Sequence, residues 1–280
     1  MNSKITSVVA KEGDGNIQIT FTIPTDLVSS TKEEVIKELA KDITVPGFRK
    51  GMAPLAKVEE KISNETLTEH VLSHLLPKAF SDAVTSEKLN PAIYPKFEAI
   101  KIEKGSDWQI RAITCELPKI YLGDYKKKLE GELRSKSIIV PGKEITKDEK
   151  ESNLIKAILE TIKITVPKIL VEEEANGRLS QLLSRIEKLG LSLEGYLKSV
   201  GKTPEDLRAE YSIQAKDAIS LELILNEVAK EEKIEVNDQK IDEFIKTTGS
   251  DLTKVEKDQR DILKRVILRR SALDKLASLM

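Results

Sequence analysis

Apolar residues follow two different periods along the chain, and the period changes near residue 117. Four short stretches before that point alternate apolar and polar residues and are rich in β-branched side chains, which is typical of strands. These stretches are residues 4–10, 16–23, 96–103 and 109–117. The acidic, glycine-containing run at residues 12–15 predicts a hairpin between the first two. The segments in between carry apolar residues at helical spacing, so residues 1–117 are predicted to form an α+β domain of antiparallel strands and helices.

Every periodic segment after residue 146 has helical spacing. Thr146 and the run Thr203-Pro204-Glu205-Asp206 carry the residues that begin helices: a hydroxyl cap, a proline in the first turn and acids at the helix N-terminus. Residues 146–280 are therefore predicted to form an all-α C-terminal domain. Aromatic residues are rare in this half, so we expect long helices that pair as extended arms with partly exposed apolar stripes. A closed bundle fits the pattern equally well.

Residues 118–145 differ from both halves in composition. They contain two prolines, three glycines and the lysine run at residues 126–128. We predict an extended linker here, with the lysines as a solvated charge run and not a phosphate site.

The segment with the most functional information is the loop at residues 45–54, which reads V-P-G-F-R-K-G-M-A-P. Prolines fix φ, and glycines permit backbone angles that other residues rarely adopt, so the loop is shaped largely by its own residues. An aromatic ring and two cations lie between the glycines. We predict a docking site, with Gly47, Phe48, Arg49, Lys50 and Gly51 as the site residues.

Composition and charge exclude several other classes of function. The formal net charge is −1, from 46 basic and 47 acidic residues, which argues against a globally basic nucleic-acid-binding protein. The single cysteine, Cys115, gives neither an internal disulfide nor a zinc pattern. No secretion signal and no membrane-spanning run is recognisable, so we expect a cytoplasmic location and no membrane partner.

Sites for metals, nucleotides or covalent catalysis are not indicated. His70 and His74 have the spacing of two metal ligands on one helix turn, but no third ligand and no catalytic glutamate accompany them. Cys115 has no assignable base, so a buried small apolar residue is the simpler interpretation. The glycine-lysine-threonine run at residues 201–203 lacks P-loop spacing and a preceding strand. We expect no cofactor and no catalytic residue.

Several of these motifs together resemble trigger factor, a ribosome-associated chaperone. The loop between two helices, the Glu87-Lys88-Leu89-Asn90-Pro91 run and the Cys115-Glu116-Leu117-Pro118 run resemble its ribosome-binding domain. Segments around Val166-Pro167 and residues 221–228 resemble its helical C-terminal domain. The resemblance implies that the loop docks beside the exit tunnel of the large ribosomal subunit, on protein and rRNA. It also implies that the C-terminal domain binds nascent or unfolded polypeptides without ATP.

The chain departs from the family pattern in two places. Met52 stands where the family often has lysine, so one cationic contact is missing. The family commonly carries an FKBP-like prolyl isomerase domain, which needs on the order of 100 residues, between the two halves. The stretch at residues 140–166 is too short for it. We therefore expect a chaperone without isomerase activity.

Two alternatives stay open at this point. The chain could be a prolyl isomerase with an atypical site, or a ribosome-independent holdase or assembly factor. Whether the free protein forms a homodimer is also open.

Overall fold

The computed structural model describes residues 4–136, 146–247 and 256–278, and the chain divides into two units between Leu117 and Pro118. The first unit combines a four-stranded antiparallel sheet with helices, and the second is helical. The predicted fold class, α+β followed by all-α, is confirmed.

The sheet of the first unit has the order β1-β2-β4-β3, and every neighbouring pair is antiparallel. The strands are β1 (Thr6–Lys11), β2 (Asn16–Ile23), β3 (Lys96–Lys101) and β4 (Trp108–Cys115). In β2 every second residue is apolar and buried, which is the pattern of a sheet with one face on a core and the other in water. β1 and β3 are the edge strands. Cys115, at the end of β4, is buried.

Three helices cover the core face of this sheet: α1 (Thr25–Leu39), α2 (Leu55–Glu59) and α3 (Asn64–Ser86). The apolar residues of α1 and α3 recur at helical spacing and enter one core with β2 and β4. Ser63 caps α3, since its side-chain oxygen accepts a hydrogen bond from the Thr66 N–H at 3.0 Å.

The second unit contains seven helices within the described residues. They are α4 (Tyr125–Lys136), α5 (Lys147–Thr161), α6 (Lys168–Lys188), α7 (Leu193–Val200), α8 (Pro204–Glu231), α9 (Asp238–Thr247) and α10 (Lys257–Ala277). The main core lies among α4, α5, α10 and the C-terminal half of α8. α8 also pairs with α6 along its length, and α7 packs against α6. The predicted caps are confirmed, because Thr146 and Thr203 each form a reciprocal capping box, with Glu149 and Asp206 respectively.

The extended linker predicted for residues 118–145 is wrong over α4. Tyr125, Leu129 and Leu133 are spaced four residues apart and are all buried in the helical core. Burial of this stripe outweighs the lysine run in the first turn, which opposes the helix dipole. Residues 137–145, the rest of the predicted linker, lie outside the described part of the chain.

A polar contact fastens the start of α4 to the end of α8. The Tyr125 hydroxyl donates a hydrogen bond to a carboxylate oxygen of Glu232 at 3.0 Å, and the Lys126 ammonium forms an ion pair with the same carboxylate. The Lys126 hydrogen bond, followed by that of Tyr125, lowers the pKa of Glu232. Burial, assisted by Glu232, raises the pKa of Tyr125 above its ordinary range.

Among the described helices, none combines the length and the apolar character needed to cross a lipid bilayer.

Candidate functional site

The predicted docking loop connects the end of α1 to the start of α2. Both of its stems are anchored in the core of the first unit: Val45 is buried, and Ile43 and Ala53 pack against the same core residues. On the α2 side, Val58 is fully buried. The loop therefore leaves the domain surface from two fixed points.

Two consecutive turns shape the loop between these stems. The Phe48 N–H donates to the Val45 carbonyl at 3.0 Å, and the Met52 N–H donates to the Arg49 carbonyl at 2.9 Å. Gly47 and Gly51 occupy the third position of each turn, with φ of 86° and 81°. A positive φ at the third position but not at the second is characteristic of a type II turn, and glycine is strongly preferred at that third position. Proline is common at the second position, which Pro46 occupies in the first turn. The sequence pattern of the loop thus encodes its backbone.

All three predicted contact side chains point into solvent. Phe48 is 44% exposed, the most of the five phenylalanines, and Arg49 and Lys50 are exposed. Within the described residues no ion pair involves Arg49. The Lys50 ammonium lies 3.2 Å from a carboxylate oxygen of Asp42, but both side chains are more than half exposed, so water and salt screen this pair. The arrangement presents an aromatic ring and two cations on one loop with anchored stems.

Sequence reasoning missed two exposed apolar neighbours of these residues. Met52 is 75% exposed and Leu55 40% exposed. Both are apolar residues beside Ala53 and Pro54. An apolar residue next to a proline in a predicted loop is the sequence signal that could have identified them as exposed. Met52, considered only as a missing cation, adds apolar surface to the loop instead.

An ion pair holds α1 and α2, the helices on both sides of the loop, together. The Lys32 ammonium lies 2.7 Å from a carboxylate oxygen of Glu59, and this hydrogen bond lowers the pKa of Glu59. The pair is partly exposed and contributes modestly, but it restrains the separation of the two stems.

A second candidate surface lies in the helical unit, where α6, α7 and the start of α8 meet. Large apolar side chains are exposed along these helices and their connections: Leu183, Leu189, Leu191, Leu193, Val200 and Ile213. A shallow, open pocket of about 700 Å³ lies between α7 and the start of α8, with Leu193, Leu197 and Pro204 in its lining. Several exposed apolar residues on neighbouring elements are typical of a binding surface. The main core does not extend to this end of the helical unit, and α6 pairs with α8 as the prediction of paired arms requires. In contrast, α4, α5, α10 and the C-terminal half of α8 close as a bundle.

The described residues contain no cluster of three or more groups that could hold a metal ion. The His74 imidazole lies 3.3 Å from a carboxylate oxygen of Glu38, an interaction between α3 and α1.

Comparison with known families finds two matches that together span nearly the whole chain. The model described as "Bacterial trigger factor protein (TF)" matches residues 5–154, and the model of the "Bacterial trigger factor protein (TF) C-terminus" matches residues 124–278. The two matches overlap, so no chain remains between them for a central isomerase domain.

Curated relatives and a solved structure agree with these matches. The trigger factor of Streptococcus suis is 39% identical over 120 residues, which are 43% of this chain and 28% of the relative. The Streptococcus mutans trigger factor is 35% identical over 135 residues, 48% of this chain and 31% of the relative. The aligned region thus spans less than a third of these relatives. A solved structure from work on promiscuous substrate recognition in folding and assembly activities of the trigger factor chaperone has a TM-score of 0.65 at 14% identity. That match covers 98% of this chain and 99% of the other and shows a shared fold.

Proposed function

The chain belongs to the trigger factor family, and on this premise we propose that it is an ATP-independent chaperone that docks on the ribosome through the loop at residues 45–54. In this proposal it acts in the cytoplasm, where it binds nascent polypeptides at the exit tunnel and shields their apolar segments. The observation that carries the proposal is the exposure of Phe48, Arg49 and Lys50 on a loop whose backbone two glycine turns hold in place.

The chemistry of the loop suits a surface made of RNA and protein. Arg49 has no ion-pair partner among the described residues and can bind phosphate or carboxylate with two parallel hydrogen bonds. Lys50 would have to break only its exposed, solvent-screened ion pair with Asp42 in order to bind. Such contacts weaken as the salt concentration rises, because the release of counterions from the phosphates then favours binding less. Phe48, with Met52 nearby in sequence, supplies apolar contact at roughly 25 cal/mol per Å² buried.

Anchoring of the loop adds to its affinity for a partner. Side chains on a preorganised backbone lose less conformational entropy on binding than side chains on a mobile loop. The buried Val45 and Val58 fix the positions from which the loop extends. The binding energy is therefore spent on contacts and not on ordering the loop.

In the same proposal, the surface at α6, α7 and the start of α8 binds the client polypeptide. Its apolar side chains can cover apolar client segments without directional bonds, which suits clients of different sequence. Charged residues between them keep this surface soluble. The Lys198 ammonium, for example, pairs with Glu194 beside the cavity, at 2.8 Å.

Ribosome co-sedimentation tests the docking role. Replacing Phe48, Arg49 and Lys50 together by alanine is expected to abolish pelleting with ribosomes at low salt. The matched control replaces Tyr94, Lys96 and Lys104 by alanine, which also removes one aromatic residue and two cations from exposed positions of the first unit. It should pellet like the original protein. Equal pelleting of both variants would disprove docking through this loop.

We further propose that the protein has no prolyl isomerase activity. The family matches leave no segment for the FKBP-like domain. Uncatalysed isomerisation of a proline peptide takes tens to hundreds of seconds, so catalysis is easily detected at micromolar protein. We expect the uncatalysed rate. A rate that rises in proportion to protein concentration would instead support the isomerase alternative.

A further inference from the structure

A groove in the first unit runs between the edge strand β1 and helix α3, away from the docking loop in sequence. It has a volume of about 610 Å³, within the range of about 300–1,000 Å³ that is typical of ligand pockets. Phe21, Leu75, Ala79 and Ala83 contribute apolar lining.

Ser7 in β1 leaves space for this groove. Ser7 pairs with Phe21 in the strand register, so the two side chains lie on the same face of the sheet, towards the helices. A core-facing position normally carries a large apolar residue, but Ser7 is small and exposed. The helix layer therefore stays open above this end of β1.

The outer edge of β1 is also unprotected. Among the described residues β1 pairs only with β2, so its other side carries unpaired backbone N–H and C=O groups. Edge strands are normally blunted by charges or bulges. β3, at the opposite edge, has Lys96, Glu98 and Lys101 within the strand and a register shift between Ala99 and Lys101. β1 has no charged residue between Thr6 and Ala10, and Val8 is 71% exposed.

The charges around the groove indicate what binds there. Lys4 and Lys78 line it, and neither forms an ion pair with any described residue. The groove has one lining carboxylate, Asp82, and His74 already faces the carboxylate of Glu38. The lining is thus net positive beside an apolar floor and a free strand edge.

We propose that this groove binds an extended peptide segment of a client, which adds a fifth strand along β1. Backbone hydrogen bonds to β1 would supply sequence-independent affinity. Alternate side chains of the peptide would enter the groove, and an acidic group of the peptide would meet Lys4 and Lys78. This site is additional to the helical surface of the proposed function and does not depend on ribosome docking.

Fluorescence anisotropy with the full chain tests the site. The probe is a fluorescein-labelled peptide of about six residues, the ordinary length of a strand, with alternating valine and threonine and a C-terminal glutamate. Ser7→Trp fills the groove from an exposed position and is expected to weaken binding at least about tenfold. Ser29→Trp, at an exposed serine on α1 outside the groove, is the matched control and should bind like the original protein. Equal affinity of both variants overturns the proposal.

Charge reversal provides an independent test. Lys78→Glu should weaken binding of the same probe several-fold at low salt. Lys37→Glu, an exposed lysine on α1 outside the groove, should not. The same loss in both variants would indicate non-specific charge attraction and overturn the site.

Hydrogen exchange distinguishes strand addition from other modes of binding. The peptide should slow exchange of β1 amides, whereas a peptide with the same side chains and N-methylated backbone should neither bind nor protect them. Binding without protection of β1 overturns strand addition. Protection that appears without peptide and grows with protein concentration overturns it in favour of a second copy of the chain. The triple alanine loop variant should keep full peptide affinity, so the two proposals fail separately.

Discussion

At the scale of single residues, glycine decides the shape of the docking loop. Gly47 and Gly51 hold a positive φ in consecutive turns, a conformation that L side chains rarely adopt. A Cβ at Gly47 would meet no atom within 4 Å, so the restriction comes from the backbone itself and not from crowding. The loop can therefore be altered without touching any proposed contact side chain.

Gly47→Ala tests the conformation of the loop separately from its side chains. The strained φ is expected to destabilise the first unit by roughly 1–3 kcal/mol or to shift the turn. A shift of the turn displaces Phe48, and ribosome pelleting should then fall several-fold although Phe48, Arg49 and Lys50 are all present. Urea unfolding and co-sedimentation measure the two effects. Unchanged pelleting would show that the conformation of the turn is irrelevant to docking.

Gly177→Ala is the corresponding substitution at a glycine with ordinary helical backbone angles. Gly177 lies exposed within α6, and a Cβ there meets no atom within 4 Å. Alanine is favoured over glycine in helices by about 1 kcal/mol. We expect a stability gain of up to about that size in urea unfolding of the full chain. A loss of stability would mean that α6 packs more closely at this point than the structure shows.

At the scale of elements, α4 shows how a polar contact and an apolar stripe act together. Tyr125 and Lys126 both contact Glu232, which follows the last residue of α8. Removing the Glu232 charge leaves the buried Tyr125 hydroxyl with a weaker acceptor and Lys126 without its partner. The junction between the two helices should weaken accordingly.

The stability of this junction should depend on pH. The folded pKa of Glu232 lies below its ordinary value of 4.5, so the contact contributes fully above about pH 4.5 and is lost as pH falls through the lowered pKa. Glu232→Gln is expected to lower stability at neutral pH and to flatten the decline in acid. Urea unfolding at several pH values measures both. The neighbouring exposed Glu231→Gln is the control and should retain the acid dependence.

The sequence predicted this element poorly for a physical reason. Three lysines in a first turn, two glycines and flanking prolines are all unfavourable for a helix when considered locally. The favourable contribution comes from the burial of Tyr125, Leu129 and Leu133 in the core of the second unit, where α4 packs against α5 and joins apolar residues of α8 and α10. A search for the four-residue spacing alone would have found α4. The caps at Thr146 and Thr203 were predictable because their hydrogen bonds are local.

The candidate sites also differ in how far local sequence could predict them. The turns of the loop at residues 45–54 and the exposure of its aromatic and charged side chains were predictable, because they depend on residues within ten positions of the chain. The groove beside β1 was not, because it depends on the register that places Ser7 next to Phe21 and on the course of α3 over both. The pairing of Lys50 with Asp42 also needed the folded backbone.

At the scale of the whole molecule, the two units have separate cores. The apolar clusters of the first unit include no residue beyond Leu117, and those of the second include none before Pro118, within the described residues. Units with their own cores generally fold independently.

A fragment of residues 1–117 should therefore fold and bind ribosomes. We expect cooperative unfolding by circular dichroism and pelleting with ribosomes that the triple alanine substitution abolishes. The complementary fragment, residues 118–280, should suppress aggregation of an unfolded protein but should not pellet. Ribosome binding by the second fragment alone would place the docking site outside the loop.

The buried position of Cys115 has a practical consequence for all of these experiments. It is the chain's sole thiol and has no exposed surface, so maleimide reagents should not reach it in the native state. Phe48→Cys or Val8→Cys would then introduce one selectively reactive group each, without prior removal of the natural cysteine. A photo-crosslinker attached at either position could capture the neighbouring molecule directly, on the ribosome or on a client.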